Sequence, residues 1–174
     1  GYIIGGDLVG PYNKDNDGNT DAFIGVEVGH SNYGMVGLMK DSLSKSTSNV
    51  FKEWRVELKS KGCEDKDVIR FHSDDDPSFQ KDFRKLLVDE SIEQTDTGGY
   101  DPQNNSRTER RIGLIKERVR ALLFQCTAGL GYYESLWGVA MKHANYLINR
   151  TQFSDGSTPY TKLTGKEYKF GDDD

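Results

Sequence analysis

Three short apolar runs separated by polar turn sequence occupy the start of the chain, and this pattern restricts the fold more than any other feature. The runs cover residues 2–9, 22–28 and 33–39. Between the first two lies NKDNDGNTD (13–21), and Asn, Asp and Gly are the residues that tight turns favour. Short apolar runs bounded by turn signals predict β-strands. We therefore expect the chain to begin with an antiparallel meander of three strands.

The remainder of the chain mixes helical and strand-like patterns. Residues 43–58 have the spacing of an amphipathic helix, residues 67–71 predict a fourth strand, and a short strand is expected near Ile92. Pro77 suits the first turn of a helix carrying Phe79, Phe83, Leu86 and Leu87. Two later helices follow, one with the stripe Ile112, Ile115, Val119, Leu122 and Leu123, and one over 132–149. This order predicts an α/β domain with a mixed sheet.

Length and charge narrow the class of protein. At 174 residues the chain has room for one domain, and it contains no apolar stretch of the roughly 18–20 residues that a membrane span needs. We expect a core domain over 1–168 and a disordered acidic tail over 169–174. The net charge of −5 argues against a surface that is basic throughout, yet the segment 107–120 is strongly basic. It is expected to be either a solvated helix face or a DNA contact.

Cysteine and histidine usage excludes two common kinds of site. With only Cys63 and Cys126, neither a disulfide scaffold nor a Cys-rich zinc site is expected, and both thiols are predicted to be buried or half-buried. The three histidines are scattered singly and are expected to be surface residues or hydrogen-bonded core residues: His30, His72 and His143.

Three acids occur within or next to predicted elements, where a rigid support can hold a catalytic group. Asp7 lies inside the first apolar run, Asp74 just after the fourth strand, and Glu109 early in the best-patterned helix. Carboxylates that meet repel one another unless divalent cations neutralise them. Oxygen-only ligation favours Mg²⁺ or Mn²⁺, and a pair of such ions suits displacement at phosphorus. A phosphodiester is therefore the predicted substrate.

Six segments extend this pattern along nearly the whole chain. They are GDLVGP (6–11), HSDDDPSF (72–79), GGYDPQNNSRTER (98–110), LWGVA (136–140), ANYLINR (144–150) and TPYTKLTGK (158–166). With these segments in this order, the chain resembles the catalytic core of retroviral-type integrases, and most of all those of copia-type retrotransposon polyproteins. The second and third acids have 34 residues between them, one fewer than the spacing that names the retroviral class.

The resemblance implies a fold, an activity and a set of site residues. The fold would be RNase H-like, with a five-stranded mixed sheet flanked by helices. Asp7, Asp74 and Glu109 would hold two Mg²⁺ (or Mn²⁺) ions for trimming element DNA ends and joining them to target DNA. The resemblance also implies DNA and a homo-oligomer as partners, and a nuclear location. The implied DNA contacts are Tyr100, Gln103, Asn104, Asn105, Arg107, Arg110, Arg111 and Lys116.

The chain also departs from the family pattern, which leaves other functions open. Where the family has Asn-Gly-Gly-Glu-Phe after the second acid, this chain has Asp75, Asp76, Pro77, Ser78 and Phe79, and Ser106 replaces a usual glycine. Two added carboxylates would alter metal affinity and repel DNA phosphate. One alternative is therefore a catalytically inert or domesticated remnant that binds nucleic acid, and another is an RNase H-like nuclease without transfer activity.

Overall fold

The computed structural model describes residues 1–61, 68–96, 102–126 and 133–167. These residues form five strands and five α-helices: three strands come first, helices and strands then alternate up to the fifth strand, and three helices follow. In chain order they are β1 Tyr2–Val9, β2 Asp21–Glu27, β3 Gly34–Met39, α1 Ser44–Ser60, β4 Val68–Ser73, α2 Lys81–Asp89, β5 Glu93–Asp96, α3 Pro102–Cys126, α4 Trp137–Asn149 and α5 Pro159–Thr164. Within the described residues, no helix is both long enough and apolar enough to cross a membrane.

The strands form one mixed sheet in the order β3-β2-β1-β4-β5. The first three strands pair antiparallel, which confirms the predicted meander, while β4 and β5 are parallel to β1. The helix α1 connects β3 to β4, as parallel strands require a crossover. The predicted five-stranded mixed sheet flanked by helices is confirmed.

Two hydrophobic clusters hold helices against the two faces of this sheet. One cluster is aromatic: Phe23, Trp54, Phe71, Phe79 and Phe83 pack where α1 and α2 cover the sheet. The other cluster lies beneath α3 and α4 and includes Val9, Ala22, Ile24, Ile115 and Trp137. Because side chains alternate along a strand, β2 sends Phe23 to the first cluster and Ile24 to the second. Every residue of β2 is consequently buried.

Some helix and strand boundaries differ from the prediction. The fourth strand ends at Ser73 rather than at residue 71. Pro77 belongs to a separate 3₁₀ turn, because the extended backbone of Gln80 (φ −100°, ψ −170°) interrupts the helix before α2 begins at Lys81. A second 3₁₀ turn, Tyr133–Leu136, precedes α4, so the last predicted helix begins later than expected.

Two further features were not expected. The short helix α5 has a capping box at Thr158 and ends on Gly165 in the left-handed region (φ 71°). Cys126 is exposed, so the prediction that it is buried was wrong. Cys63 and the tail 169–174 lie outside the described residues.

Candidate active site

Adjacent parallel strands bring Asp7 and Asp74 together. Gly5 of β1 is paired with His72 of β4, so each acid lies two residues beyond this paired position. Asp7 also lies two residues before Val9, whose side chain packs beneath α3, and alternation places Asp7 on that same face. Asp7 is half-buried, whereas Asp74 is exposed just beyond the end of β4.

The two carboxylates repel each other, and this repulsion contributes to the pKa of Asp7. Burial, and then the negative charge of Asp74, raise the pKa of Asp7. The Leu8 N–H, which donates to Asp7 Oδ1 at 2.7 Å, and the charge of Lys116 act in the opposite direction. The repulsion acts on the pKa of Asp7, the more buried of the two carboxyl groups, because a buried carboxylate is protonated more easily.

The acids that follow Asp74 add to this negative charge. Partial desolvation, and then the charge of Asp76, raise the pKa of Asp74, with a smaller contribution from Asp75. Asp76 is held in place because its carboxylate accepts the Ser78 N–H at 2.8 Å and caps the 3₁₀ turn. Ser78 Oγ in turn donates to Ser42 O at 2.6 Å, which fixes this segment against the β3–α1 connection.

The helix α3 carries Glu109 on the same flank as Lys116. Glu109 and Lys116 are seven residues apart, so their side chains leave the helix in nearly the same direction, about 10 Å apart along its axis. Both are exposed, and Lys116 is near enough to Asp7 to act on its pKa. Glu109 therefore shares the side of α3 that borders Asp7.

The structure divides the predicted DNA contacts into three groups. Lys116 lies on the Glu109 flank. Arg107 and Arg111 leave α3 on roughly the opposite flank, and Arg110 leaves it between the two flanks. All three line a cavity together with Arg118, which belongs to the predicted basic segment but not to the predicted DNA contacts. Tyr100 and the side chains of Gln103, Asn104 and Asn105 lie outside the described residues, although α3 includes the backbone of the last three.

Arg111 differs from the other predicted contacts because it is only 5% exposed. Its guanidinium donates to Asn32 O and to Asn145 Oδ1, at 3.5 Å for the latter. Burial lowers its pKa to about 10. An arginine in this position joins α3 to the β2–β3 turn and to α4, so it has a structural role in addition to its place in the cavity lining.

His72 is a buried residue of β4 and the only histidine that the sequence places near the proposed site. Its Nδ1 lies 3.0 Å from Thr95 Oγ1, whereas its Nε2 has no hydrogen-bond partner among the described residues. The expectation of a fully hydrogen-bonded core histidine is therefore only half met. Its position two residues before Asp74 is what associates it with the site in the sequence.

The donor set of the site suits a hard divalent cation, although the described residues do not form a closed metal cage. No three His, Cys, Asp or Glu side chains among them are gathered closely enough to hold an ion. Asp7 and Asp74 nevertheless supply carboxylate oxygens whose mutual repulsion a cation would relieve. Glu109 is the third oxygen donor that the sequence pattern assigns to this site.

Comparison with known proteins places this geometry in a structural context. No protein-family model and no curated protein matches the chain. Among solved structures, the catalytic core of BIV integrase matches with a TM-score of 0.67 and 19% identity, over 91% of this chain and 90% of that one. The HTLV-2 integrase catalytic core in complex with magnesium matches with a TM-score of 0.68 and 18% identity, over 93% and 95%.

This chain shares the fold of retroviral integrase catalytic cores. A third match is the simian T-cell lymphotropic virus intasome in complex with a PP2A regulatory subunit, with a TM-score of 0.71 and 16% identity. This chain is 93% covered in that match, which spans 54% of the intasome chain. At such identities the likeness establishes the fold, so the chemistry of this integrase-like domain has to be argued from its own residues.

Proposed function

We propose that this domain is the catalytic core of a copia-type retrotransposon integrase. In this proposal it is a metal-dependent polynucleotidyl transferase that trims the ends of element DNA and joins them to target DNA. The copia-type assignment rests on the resemblance of the six sequence segments, and ANYLINR (144–150) and TPYTKLTGK (158–166) argue against a nuclease without transfer activity. DNA is the proposed substrate, a homo-oligomer the proposed working form, and the nucleus the proposed location.

One observation supports the proposal more than any other. Asp7 and Asp74 meet at neighbouring parallel strands of an integrase-core fold, and their charges disfavour each other. A folded protein gains nothing in stability from holding two repelling carboxylates together, so such a pair suggests a function. Neutralisation by a divalent cation is the chemistry that fits it best.

The residues of this chain divide the work of the proposed reaction. Asp7, Asp74 and Glu109 would hold Mg²⁺ (or Mn²⁺), which supplies Lewis acidity toward a water or a 3′-hydroxyl and toward the phosphodiester. The Leu8 N–H fixes the Asp7 carboxylate through its hydrogen bond to Oδ1. Lys116, on the same side of α3 as Glu109, would offset the negative charge of an approaching DNA phosphate.

A strand-transfer assay tests the proposal. The wild-type chain, Asp74→Asn and Glu109→Gln are each incubated with a DNA end substrate, target DNA and Mg²⁺ or Mn²⁺. We expect joined products from the wild type and a loss of at least about a hundredfold in both variants, since each removes a charge that acts on the transition state. Lys85→Gln, an exposed change on α2, is the matched control and should retain full activity.

A second function is favoured by one specific observation. Asp76 raises the pKa of both Asp7 and Asp74, and it stands where the family motif has glycine. This added charge opposes the approach of DNA phosphate and supports an inert or domesticated remnant that binds nucleic acid. Equal absence of product in the wild type and both variants would favour the remnant, whereas hydrolysed ends without joined products would favour a nuclease.

A further inference from the structure

The flank of α3 that faces away from the acid pair carries a cluster of arginines in a cavity. We call this the arginine pocket and define it by Arg107, Arg110, Arg111 and Arg118. The cavity has a volume of about 370 Å³ and also touches Asn32 and Gln152. Among the residues that the structure describes, no Asp or Glu lines it. The charged residues that line the cavity are therefore all positive.

The arginine pocket is distinct from the candidate active site. At about 100° per residue, Arg107, Arg111 and Arg118 fall within a narrow stripe, and Glu109 and Lys116 fall roughly 180° away around the helix. The apolar stripe of α3, which contains Ile115, lies between these two flanks and is buried against the sheet. A single phosphate cannot contact both flanks of α3 at once.

The guanidinium groups retain donors for a ligand. Arg107 donates to Val28 O, Arg111 to Asn32 O and Asn145 Oδ1, and Arg118 to Thr151 Oγ1 at 3.4 Å. Each guanidinium carries five N–H donors, so these contacts position the groups without using all of their donors. Among the described residues, none of the four arginines forms an ion pair with a carboxylate.

The like charges within the arginine pocket also repel one another. Arg118 opposes the charge of Arg111, in addition to the larger effect of burial on that residue. Holding several uncompensated guanidinium groups around one cavity is unfavourable unless an anion enters. The pocket therefore favours a ligand with several negatively charged oxygens.

One wall of the cavity is apolar. Leu114 and Phe153 are 40% and 37% exposed, and Ile148 and Pro159 continue the same surface. Lys162 Nζ lies 4.7 Å from the centre of the Phe153 ring and so fixes the position of this aromatic side chain. An inorganic anion would leave this wall without a contact, whereas an anion attached to an organic group would cover it.

We propose that the arginine pocket binds the phosphate group of a nucleotide, with the sugar or base against the wall formed by Leu114 and Phe153. Planar guanidinium forks match phosphate oxygens in pairs, and an aromatic face suits a base. The nucleotide is either free or part of a DNA strand that passes on the side of α3 opposite to the acid pair. This inference rests on the arginine pocket alone and does not require the catalytic proposal.

Binding measurements test the inference. They are made in EDTA, so that no divalent cation contributes to binding. The probes are dAMP, inorganic phosphate, a short labelled single-stranded oligonucleotide and a Glu-rich peptide. The test variant is the pair Arg110→Gln and Arg118→Gln, and Arg110→Gln alone is a milder version. Arg84→Gln is the matched control, because Arg84 is an exposed arginine on α2, across the sheet from α3.

We expect the double variant to bind the oligonucleotide or dAMP at least about tenfold more weakly than the wild type, while the control binds as the wild type does. For the oligonucleotide, the plot of log binding constant against log salt concentration should also be less steep. Its slope should change by roughly 1.4, because two phosphate contacts are lost. Tight binding of dAMP alone would identify a free nucleotide, and binding of the oligonucleotide only would identify a DNA strand.

Three results would overturn the inference. They are equal losses in Arg84→Gln and the double variant, no binding of either nucleotide probe, and preferential binding of the acidic peptide. Thermal melts of all variants, with Arg110→Gln as the least disruptive change, separate lost binding from lost folding. Asp74→Asn should keep its affinity for dAMP, so failure of the catalytic proposal would leave this test intact.

Discussion

At the scale of single residues, Asp7 and Asp74 carry charges that the folded chain tolerates but does not favour. The charge of Asp76 raises the pKa of both groups, whereas the charge of Lys116 lowers the pKa of Asp7. A divalent cation would reverse the sign of this interaction, because it attracts both carboxylates. The free energy of unfolding should therefore report metal binding directly, without any catalytic assay.

Mg²⁺ should raise the melting temperature of the wild-type chain and not that of Asp7→Asn. At a hundredfold excess over the dissociation constant, binding stabilises the folded state by about 2.7 kcal/mol, which corresponds to roughly 5–10 °C for a domain of this size. Differential scanning calorimetry in EDTA and in Mg²⁺ measures this shift. Asp89→Asn, an exposed change at the end of α2, should respond as the wild type does; an equal response from Asp7→Asn would contradict the proposed site.

Asp15 differs from Asp7 and Asp74, because hydrogen bonds stabilise its negative charge. It is buried, with its carboxylate accepting from Asn19 N at 2.7 Å, Asn19 Nδ2 at 2.9 Å and Asp17 N at 2.9 Å. Burial alone would raise the pKa of Asp15, but these hydrogen bonds outweigh it and hold the pKa below 3.8. Asp15 thus stabilises the turn between β1 and β2.

Replacing Asp15 by Asn should destabilise the domain by about 1–3 kcal/mol at pH 7, since the new amide opposes the Asn19 side chain. Because the folded-state pKa is depressed, the contribution of Asp15 is present above pH 3.8 and is lost as the pH falls below that value. Urea titrations from pH 7 to pH 3 should show the difference from wild type shrinking only at the acid end. Asp17→Asn is the exposed control, and a gap independent of pH would contradict this account.

At the scale of elements, glycines in two helices have opposite surroundings. Gly138, in the first turn of α4, is buried, and a Cβ there would meet Asp15 Oδ2 and come within 2.9 Å of Leu38 Cδ1. Gly113, within α3, is exposed, and a Cβ there would meet nothing within 4 Å. The α4 helix begins close to the sheet because Gly138 leaves room for the Asp15 turn.

Gly113→Ala should therefore stabilise the domain by about 0.8–1 kcal/mol, which is the helix propensity difference. Gly138→Ala should instead destabilise it by about 1–3 kcal/mol, because overcrowding outweighs the same propensity gain. Urea denaturation of the two variants beside the wild type measures both changes, and each variant serves as the control for the other. Changes of the same sign would show that helix propensity, rather than packing against Asp15, governs both positions.

At the scale of the whole molecule, the sheet lies between two hydrophobic clusters that share the buried strand β2. Trp54 belongs to the aromatic cluster and Trp137 to the cluster beneath α3 and α4. These are the two tryptophans of the chain. Their fluorescence can therefore report separately on the two sides of the sheet.

The two sides should unfold as one cooperative unit. Phe71→Ala, which removes a fully buried ring from the aromatic cluster, should lower the free energy of unfolding by about 3–5 kcal/mol. The change is made in two backgrounds, Trp54→Phe and Trp137→Phe, each of which leaves one tryptophan as the fluorescent probe. Both probes should report the same loss in the free energy of unfolding. Val88→Ala, an exposed change on α2, is the control; a loss seen on one side only would mean that the two layers unfold separately.

Local pattern predicted most of the secondary structure, and one of its errors shows where such patterns fail. The strand runs 2–9, 22–28 and 33–39 and the stripe of α3 are short-range signals, which is why they were visible in the sequence. Phe79 and Phe83 have helical spacing but lie on either side of the break at Gln80. Backbone geometry at Gln80, whose carbonyl accepts a hydrogen bond from Ser44 Oγ at the start of α1, overrode the periodicity.

The sequence by itself determined the order of strands and helices, the amphipathic faces and the three acids Asp7, Asp74 and Glu109 as candidates, because these depend on residue types and their spacing. Only the tertiary structure decided which groups meet. It brought Asp7 and Asp74 to neighbouring positions through the register of β1 and β4, buried Arg111, and completed the arginine pocket with Asn32, Gln152 and Phe153 from outside α3. Charge interactions and burial depend on distances across the fold, which a linear sequence does not contain.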